Sequence, residues 1–396
     1  MVLEWSLSTT RDPDAMKIVF LTGGSPATVF ALAPLASATR LAGHEVLVAS
    51  PSDMTSYVLS TGLPSVAVTD GTMRDFMFQD ADGRPVAIPT APDERLLFNG
   101  RGFGRLARAC LPGLRSLAAD WEPDLMVGGS LCYAAPVAAH ELGAPWVRHT
   151  WDLGEPLDID AGAASELAPE LADAGLDGMP AADLWVDVCP PSLQISGPGP
   201  RQGMRFVPYN QRRPLEPWMR RRGERPRVCV TAGSRVSGQD EAAGLVALVR
   251  ALSSLNVECV IAAPEAVADA LGKAVPDARV GWFPLDTLLT TCDLIVHHGG
   301  GQTTLTALHA GVPQLLLPTI PKMVPPCRGV EERGAAITLP QDRQTVADIA
   351  QAAESLLTTP GPRAAAQKMR AEIAQQPSPA QVVEVLENLV RSANRR

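Results

Sequence analysis

The chain has 396 residues, 46% hydrophobic and 19% charged, with 34 Lys and Arg against 43 Asp and Glu, a formal net charge of −9 and a pI near 5.3. That length exceeds what one core supports, so two α/β domains are expected, and the acidic balance argues against nucleic acid or an anionic membrane as partner and for a small-molecule ligand. Seven cysteines stand singly with no CxxC pair, and there is neither a run of 18 apolar residues nor a leader-like opening, so a cytoplasmic protein with reduced thiols is expected.

Residues 1–15 read as a tail. Lys17 to Thr22 is a short apolar run ending in Gly23-Gly24-Ser25-Pro26, and Val29 to Leu41 repeats apolar residues at helical spacing, which predicts strand, tight turn and helix in order. Further strands are expected at Val46 to Ala49, Val66 to Val68, Leu125 to Val127, Trp146 to Arg148 and Leu184 to Val188. Such alternation predicts a parallel sheet covered on both faces, over residues 16–205. Residues 206–226 break into prolines and arginines (Pro208, Pro214, Pro217, Pro226; Arg212, Arg213, Arg220, Arg221, Arg222) and read as a solvated linker. A second set over 227–376 has strands at Val228 to Thr231, Val257 to Ala262, Ala278 to Gly281, Leu294 to Val296 and Gln314 to Leu317. In 377–396 Val382, Val385, Leu386, Leu389 and Val390 share one helical face, expected to pack back toward the first domain.

Among these segments, His297-His298-Gly299-Gly300-Gly301-Gln302-Thr303-Thr304 carries the most chemistry. It lies between an apolar strand and a helical pattern. Glycines let backbone approach a ligand, and the free N–H groups and dipole of a helix N-terminus favour an anion, most often a phosphate. Open α/β sheets keep their ligands at such strand ends.

Two doubly wound halves, a proline-rich linker and this turn together resemble the GT-B antibiotic glycosyltransferases, family-1 type, that attach deoxysugars. Gly281-Trp282-Phe283-Pro284-Leu285-Asp286, Cys292-Asp293-Leu294 and Ala310-Gly311-Val312-Pro313-Gln314 are similar to that family's nucleotide-sugar domain. The run Gly24 to Leu35, Thr150-Trp151-Asp152 and Pro214 to Met219 look like the C-glycosyltransferases of angucycline biosynthesis. The resemblance implies a dTDP-deoxysugar donor in the second domain, an aromatic polyketide acceptor in the first, no cofactor and no metal; a homodimer is left open.

Carried over residue by residue, the resemblance implies donor diphosphate contacts from His297, His298, Gly300, Gly301 and Thr303, with Ser234 adding a hydroxyl. Trp282, Phe283 and Leu285 fall in the base-binding loop, and Ser25, Pro26, Phe76 and Trp151 on the acceptor side. Met73 to Phe78 and Leu96 to Phe103 are further acceptor-lining or core stretches. O-glycosylating relatives commonly carry a histidine in the loop after the first strand; here Gly23 to Thr28 holds no base. The C-glycosylating members instead resemble this chain in the carboxylate Asp152, the candidate general base, with His149 second. An acidic residue followed by Gln, which many relatives use to bind sugar hydroxyls, is missing from Pro318 to Met323. The expected reaction is inverting transfer to a carbon ortho to a phenol; an O-glycosyltransferase, a nucleotide-sugar epimerase and a non-catalytic partner protein are the alternatives. A metal-dependent Asp-x-Asp reading has only Asp12-Pro13-Asp14 and Asp158-Ile159-Asp160 to draw on, and a dinucleotide fingerprint only Gly100-Arg101-Gly102-Phe103-Gly104.

Overall fold

The structure is a computed structural model that describes residues 15–80, 82–154, 158–195, 197–233 and 239–395. The first sheet contains β1 (Lys17–Leu21), β2 (Glu45–Pro51), β3 (Ser65–Thr69), β4 (Leu125–Gly129), β5 (Trp146–His149), β6 (Leu184–Asp187) and β7 (Arg201–Gly203). They are parallel and ordered β3-β2-β1-β4-β5-β6-β7. The second sheet contains β8 (Arg227–Thr231), β9 (Glu258–Ala262), β10 (Arg279–Gly281), β11 (Leu294–His297), β12 (Gln314–Leu316) and β13 (Ala336–Thr338), parallel in the order β10-β9-β8-β11-β12-β13. The strand order therefore reverses between β1 and β4 in one domain and between β8 and β11 in the other. Those are the crevices where open sheets bind ligands.

Parallel strands buried on both faces read as near-continuous apolar runs, which is why most of them were legible. In β1, Ile18 and Phe20 enter one core with Leu32 and Leu35, while Val19 and Leu21 enter another with Leu111 and Met126. The second sheet repeats this: Val228 and Val230 face one core and Cys229 the other. β7 and β13 were not anticipated. Each is three residues long and pairs with one neighbour only, and Arg201-Gln202-Gly203 has no apolar signal at all.

Gly100, Gly102 and Gly104 lie inside the helix Pro92–Asp120. A Cβ on Gly100 would come 2.8 Å from Gly162 Cα of the helix Asp158–Glu166, so this glycine serves close helix packing, not a phosphate turn. The linker arginines, expected in solvent, partly pin the connector: Arg222 pairs with Asp293 at 2.6 Å and Arg213 with Glu265 at 2.9 Å. Such exposed pairs contribute at most ~1 kcal/mol each.

The helix Pro379–Ala393 starts with a reciprocal capping box, Ser378 with Gln381. Its buried Val382, Val383, Leu386 and Val390 join the first domain's core, against the helix Pro26–Leu41. His44 accepts from the Met16 N–H at Nδ1 (3.2 Å) and donates from Nε2 to Glu387 (3.2 Å) on that helix. The last element of the chain thus belongs physically to the first sheet. No helix among the described residues is long and apolar enough to cross a membrane.

Candidate active site

The turn after β11 is built by its own residues. Gly299 has φ +81°, in the left-handed region, and a Cβ there would collide with Cys327 Sγ; only glycine meets both demands. Gly300 caps the helix Gly301–Ala310, whose first turn carries no acidic residue of its own. Its positive dipole end is left for a partner from elsewhere.

The two histidines have different positions. His297 is buried; its Nδ1 accepts from the Gly299 N–H (3.2 Å), so Nε2 carries the proton and donates to Gln314 Oε1 on β12 (2.8 Å). Burial, aided by neighbouring His298, pushes it down to about 3, so the ring is neutral. Both nitrogens are committed within the protein. The expected diphosphate contact from the His297 side chain is thereby corrected: the ring shapes the turn. The His298 ring faces the crevice between β8 and β11. A Cβ on Gly233, just after β8, would lie 2.8 Å from its Cε1, and one on Gly300 2.5 Å from its Nε2. Thr304 spends its hydroxyl on the Gly300 carbonyl (3.1 Å), whereas half-buried Thr303 makes no hydrogen bond from its hydroxyl among the described residues. Ser234 lies outside the described residues.

In the loop after β10, Trp282 is half-buried, while Phe283 packs edge-on against linker Trp218 (5.2 Å between centroids, 89°) and, with Leu285, against the second core. The side chains of Phe283 and Leu285 thus pack on the second domain's core and stay half-buried.

On the first domain's side, Ser25 and Pro26 open the helix Pro26–Leu41 and stay half-buried, with the Ser25 carbonyl accepting from the Thr28 hydroxyl (2.7 Å). The short helix Met73–Phe78 lies over this loop: a Cβ on Gly24 would be 2.8 Å from Met73 Cβ. Half-buried Phe76 is laid across Gly71, 2.7 Å from where its Cβ would stand. Trp151 departs from its expected place in the acceptor cleft. At 5% exposure its ring is core, packed on Gly129 at the end of β4, where a Cβ would be 2.6 Å from Cε3. Its functional group is the carbonyl, which accepts a hydrogen bond from the Gln302 side-chain amide of the other domain.

Asp152 follows β5 by three residues and is half-buried. Its Oδ2 lies 2.6 Å from where a Cβ on Gly301 would stand. The first residue of the anion-receptive helix and the candidate base are therefore neighbours across the domain boundary. His149 is excluded as a rival base by position. It is fully buried, pushed down to about 4 chiefly by burial, with Nδ1 2.6 Å from the Thr150 carbonyl. Asp160 of the Asp-x-Asp alternative is spent on Arg148 (2.6 and 2.7 Å) and on the Tyr133 hydroxyl (2.6 Å); Asp12 and Asp14 lie outside the described residues.

Gln302, Gln314 and Thr150 stand within motifs read from the sequence, but no role of their own was expected for them. Gln302 follows the glycines directly, yet glutamine at a helix start is so ordinary that only the opposing carbonyl gives it meaning.

A helix N-terminus open to an anion at one domain's switch point, met by a carboxylate from a second doubly wound domain, defines a glycosyltransferase of the GT-B type. The chain belongs to the erythromycin biosynthesis protein CIII-like family, whose N-terminal domain matches residues 37–233 and whose C-terminal domain matches residues 246–389. It is 35% identical over 362 residues to the L-demethylnoviosyl transferase of Streptomyces niveus, covering 90% of this chain and 94% of that one. Among solved structures it is similar to the Streptomyces sp. SF2575 glycosyltransferase SsfS6 complexed with thymidine diphosphate (TM-score 0.83, 34% identity, 94% of this chain and 99% of that one). The spinosyn rhamnosyltransferase SpnG complexed with spinosyn aglycone is equally close in fold (TM-score 0.83, 29% identity, 94% and 100%).

Proposed function

We propose that this enzyme transfers a deoxysugar, with inversion, from a dTDP-deoxysugar to an aromatic polyketide and forms a C-glycosidic bond ortho to a phenol. The observation that carries the reading is the approach of Asp152 to Gly301, which puts a carboxylate beside the helix end that receives the donor's diphosphate. The thymidine diphosphate bound by SsfS6 and the aglycone bound by SpnG support the two substrate classes.

Negative charge grows on the departing diphosphate. Preorganised N–H groups of Gly301 and the following residues, with the Thr303 hydroxyl and His298, stabilise that charge most where it is largest, in the transition state, and no metal is invoked. Asp152 receives the acceptor's proton. A phenol at pKa ~10 and an aspartic acid at ~4 differ by about 8 kcal/mol for complete transfer, so the proton moves as the carbon–carbon bond forms or from a phenol acidified by its own ring. Deprotonation makes the ortho carbon nucleophilic; it attacks from the face opposite the diphosphate as the anomeric C–O bond to dTDP breaks, inverting that centre, and the ortho C–H proton then shifts to the ring oxygen and restores the phenol.

Incubation with a dTDP-deoxysugar should release dTDP only when an aromatic acceptor is present; sugar interconversion without acceptor would identify an epimerase, and neither outcome a non-catalytic partner. The product's linkage is decided by heating in dilute acid: a surviving sugar is carbon-linked, a lost one is an O-glycoside. Asp152→Asn should keep dTDP binding and abolish transfer.

A further inference from the structure

The turn that presents Asp152 is tied to a buried carboxylate. Asp187, at the end of β6, is 1% exposed and has three donors around its carboxylate. Its Oδ1 accepts from the Thr150 hydroxyl (3.1 Å) and the Cys189 N–H (2.9 Å), and its Oδ2 from the Arg201 guanidinium of β7. The Thr150 oxygen in turn accepts from the Val188 N–H (3.0 Å). Thr150 is therefore held through its side chain to Asp187 and to Val188, the residue that follows the carboxylate's strand, two positions before Asp152. Arg201 is itself held: its guanidinium lies 5.0 Å from the centre of the Trp185 ring, which also carries Arg148 at 4.6 Å.

A buried charge is expensive, and replacing such an ion pair by apolar residues is often neutral or stabilising, so stability alone is a weak reason for this arrangement. Its location supplies another. Thr150 and Asp187 line a small recess of about 30 Å³, with Leu153 and Gly154, the two residues after Asp152, on its wall. The tie joins the backbone just before Asp152 to the strand beside it, while the carboxylate itself faces the opposite domain at Gly301.

We infer that Asp187, through Thr150 and backed by Arg201, is a positioning residue that fixes the Asp152 carboxylate relative to the helix end at Gly301. The inference rests on the reading of Asp152 as the general base. A small misplacement of a reacting group costs up to about 100-fold in rate without changing the binding of groups elsewhere.

Thr150→Val is nearly isosteric and removes only the hydroxyl. It should lower kcat by about tenfold or more, leave the dTDP dissociation constant within about twofold and keep the shape of the pH–rate profile, because the base is unchanged. Thr150→Ser should restore most of the rate. Asp187→Asn, which keeps an oxygen for Thr150 and Cys189 but loses the charge on Arg201, should fall between them. Undiminished kcat in folded Thr150→Val overturns the role. So does a kcat loss matched by equal losses in dTDP affinity and unfolding temperature, or one that serine does not rescue. Asp152→Asn measured alongside separates the two readings: if it is fully active both fail, and if it is inactive while Thr150→Val is active only the positioning role fails.

Discussion

Asp152 and Gly301 come from different domains, 149 positions apart in the sequence, and meet so closely that position 301 has no room for a side chain. The nearest carboxylate oxygen is 2.6 Å from where a methyl carbon would stand. The proposed anion-binding turn and the proposed base, far apart in the sequence, meet at this contact.

Gly301→Ala tests that geometry directly. At the first turn of a helix alanine is favoured over glycine by up to ~1 kcal/mol, which offsets only part of the overlap with the Asp152 side chain, so the variant should unfold somewhat below the parent. Its methyl must push Asp152 aside, and kcat/KM should drop by about 10–100-fold. A variant of normal activity would show that the contact is dispensable.

Gln302→Ala removes the amide that reaches the Trp151 carbonyl across the cleft. One such hydrogen bond contributes about 0.5–1.5 kcal/mol, enough to change the closed population by roughly two- to tenfold. The donor-free protein should therefore show a larger radius of gyration by X-ray scattering, with an unfolding temperature unchanged to within a few degrees. Identical scattering curves would argue against a clamp.

Acid should destabilise the fold before the carboxylates titrate. His149 and His297 are held neutral by burial, down to about 4 and about 3, and the half-buried His309 is lowered in the same direction. In the unfolded chain a histidine titrates near ~6.5, so below that pH the unfolded state binds more protons and stability falls as pH falls. From pH 6.5 to 5 the two fully buried rings together cost on the order of 3 kcal/mol, in a window where Asp and Glu remain ionised. Urea midpoints at pH 7 and pH 5 measure this; equal midpoints would refute it.

Leu386→Ala should cost about 2–5 kcal/mol, since the side chain is fully buried among the first domain's apolar groups. Hydrogen exchange should then speed up in the helix Pro26–Leu41, although residue 386 follows the second domain in sequence. Acceleration confined to residues 227–376 would contradict the packing.

The sequence made legible what has a local cause. Apolar runs marked most of the strands because a parallel sheet demands them, and the glycine turn was visible because φ and close approach leave few alternatives to glycine. The direction of a side chain has no such local cause. Trp151 was expected beside the acceptor and turns into the core because Gly129, on a neighbouring strand, leaves a flat surface for its ring. His297 was expected at the diphosphate and is drawn inward by Gln314, one strand away. Phe283 is drawn by Trp218 of the linker. Asp152 lies against Gly301, whose missing side chain leaves it the space. Each of these outcomes depends on a partner at least 17 residues distant, beyond any periodicity.

The C-terminal helix also sets an order of events during synthesis. Val382, Leu386 and Val390 complete the same core as Ile18 and Leu35, so the first sheet emerges from the ribosome and waits through the whole second domain before its outer layer exists. Domains usually fold as units in the order they are made. Here Ile18 and Leu35 are covered by residues 382–390, so a ribosome that stalls before Pro379 would release a chain with a nearly complete second domain and an uncovered first one.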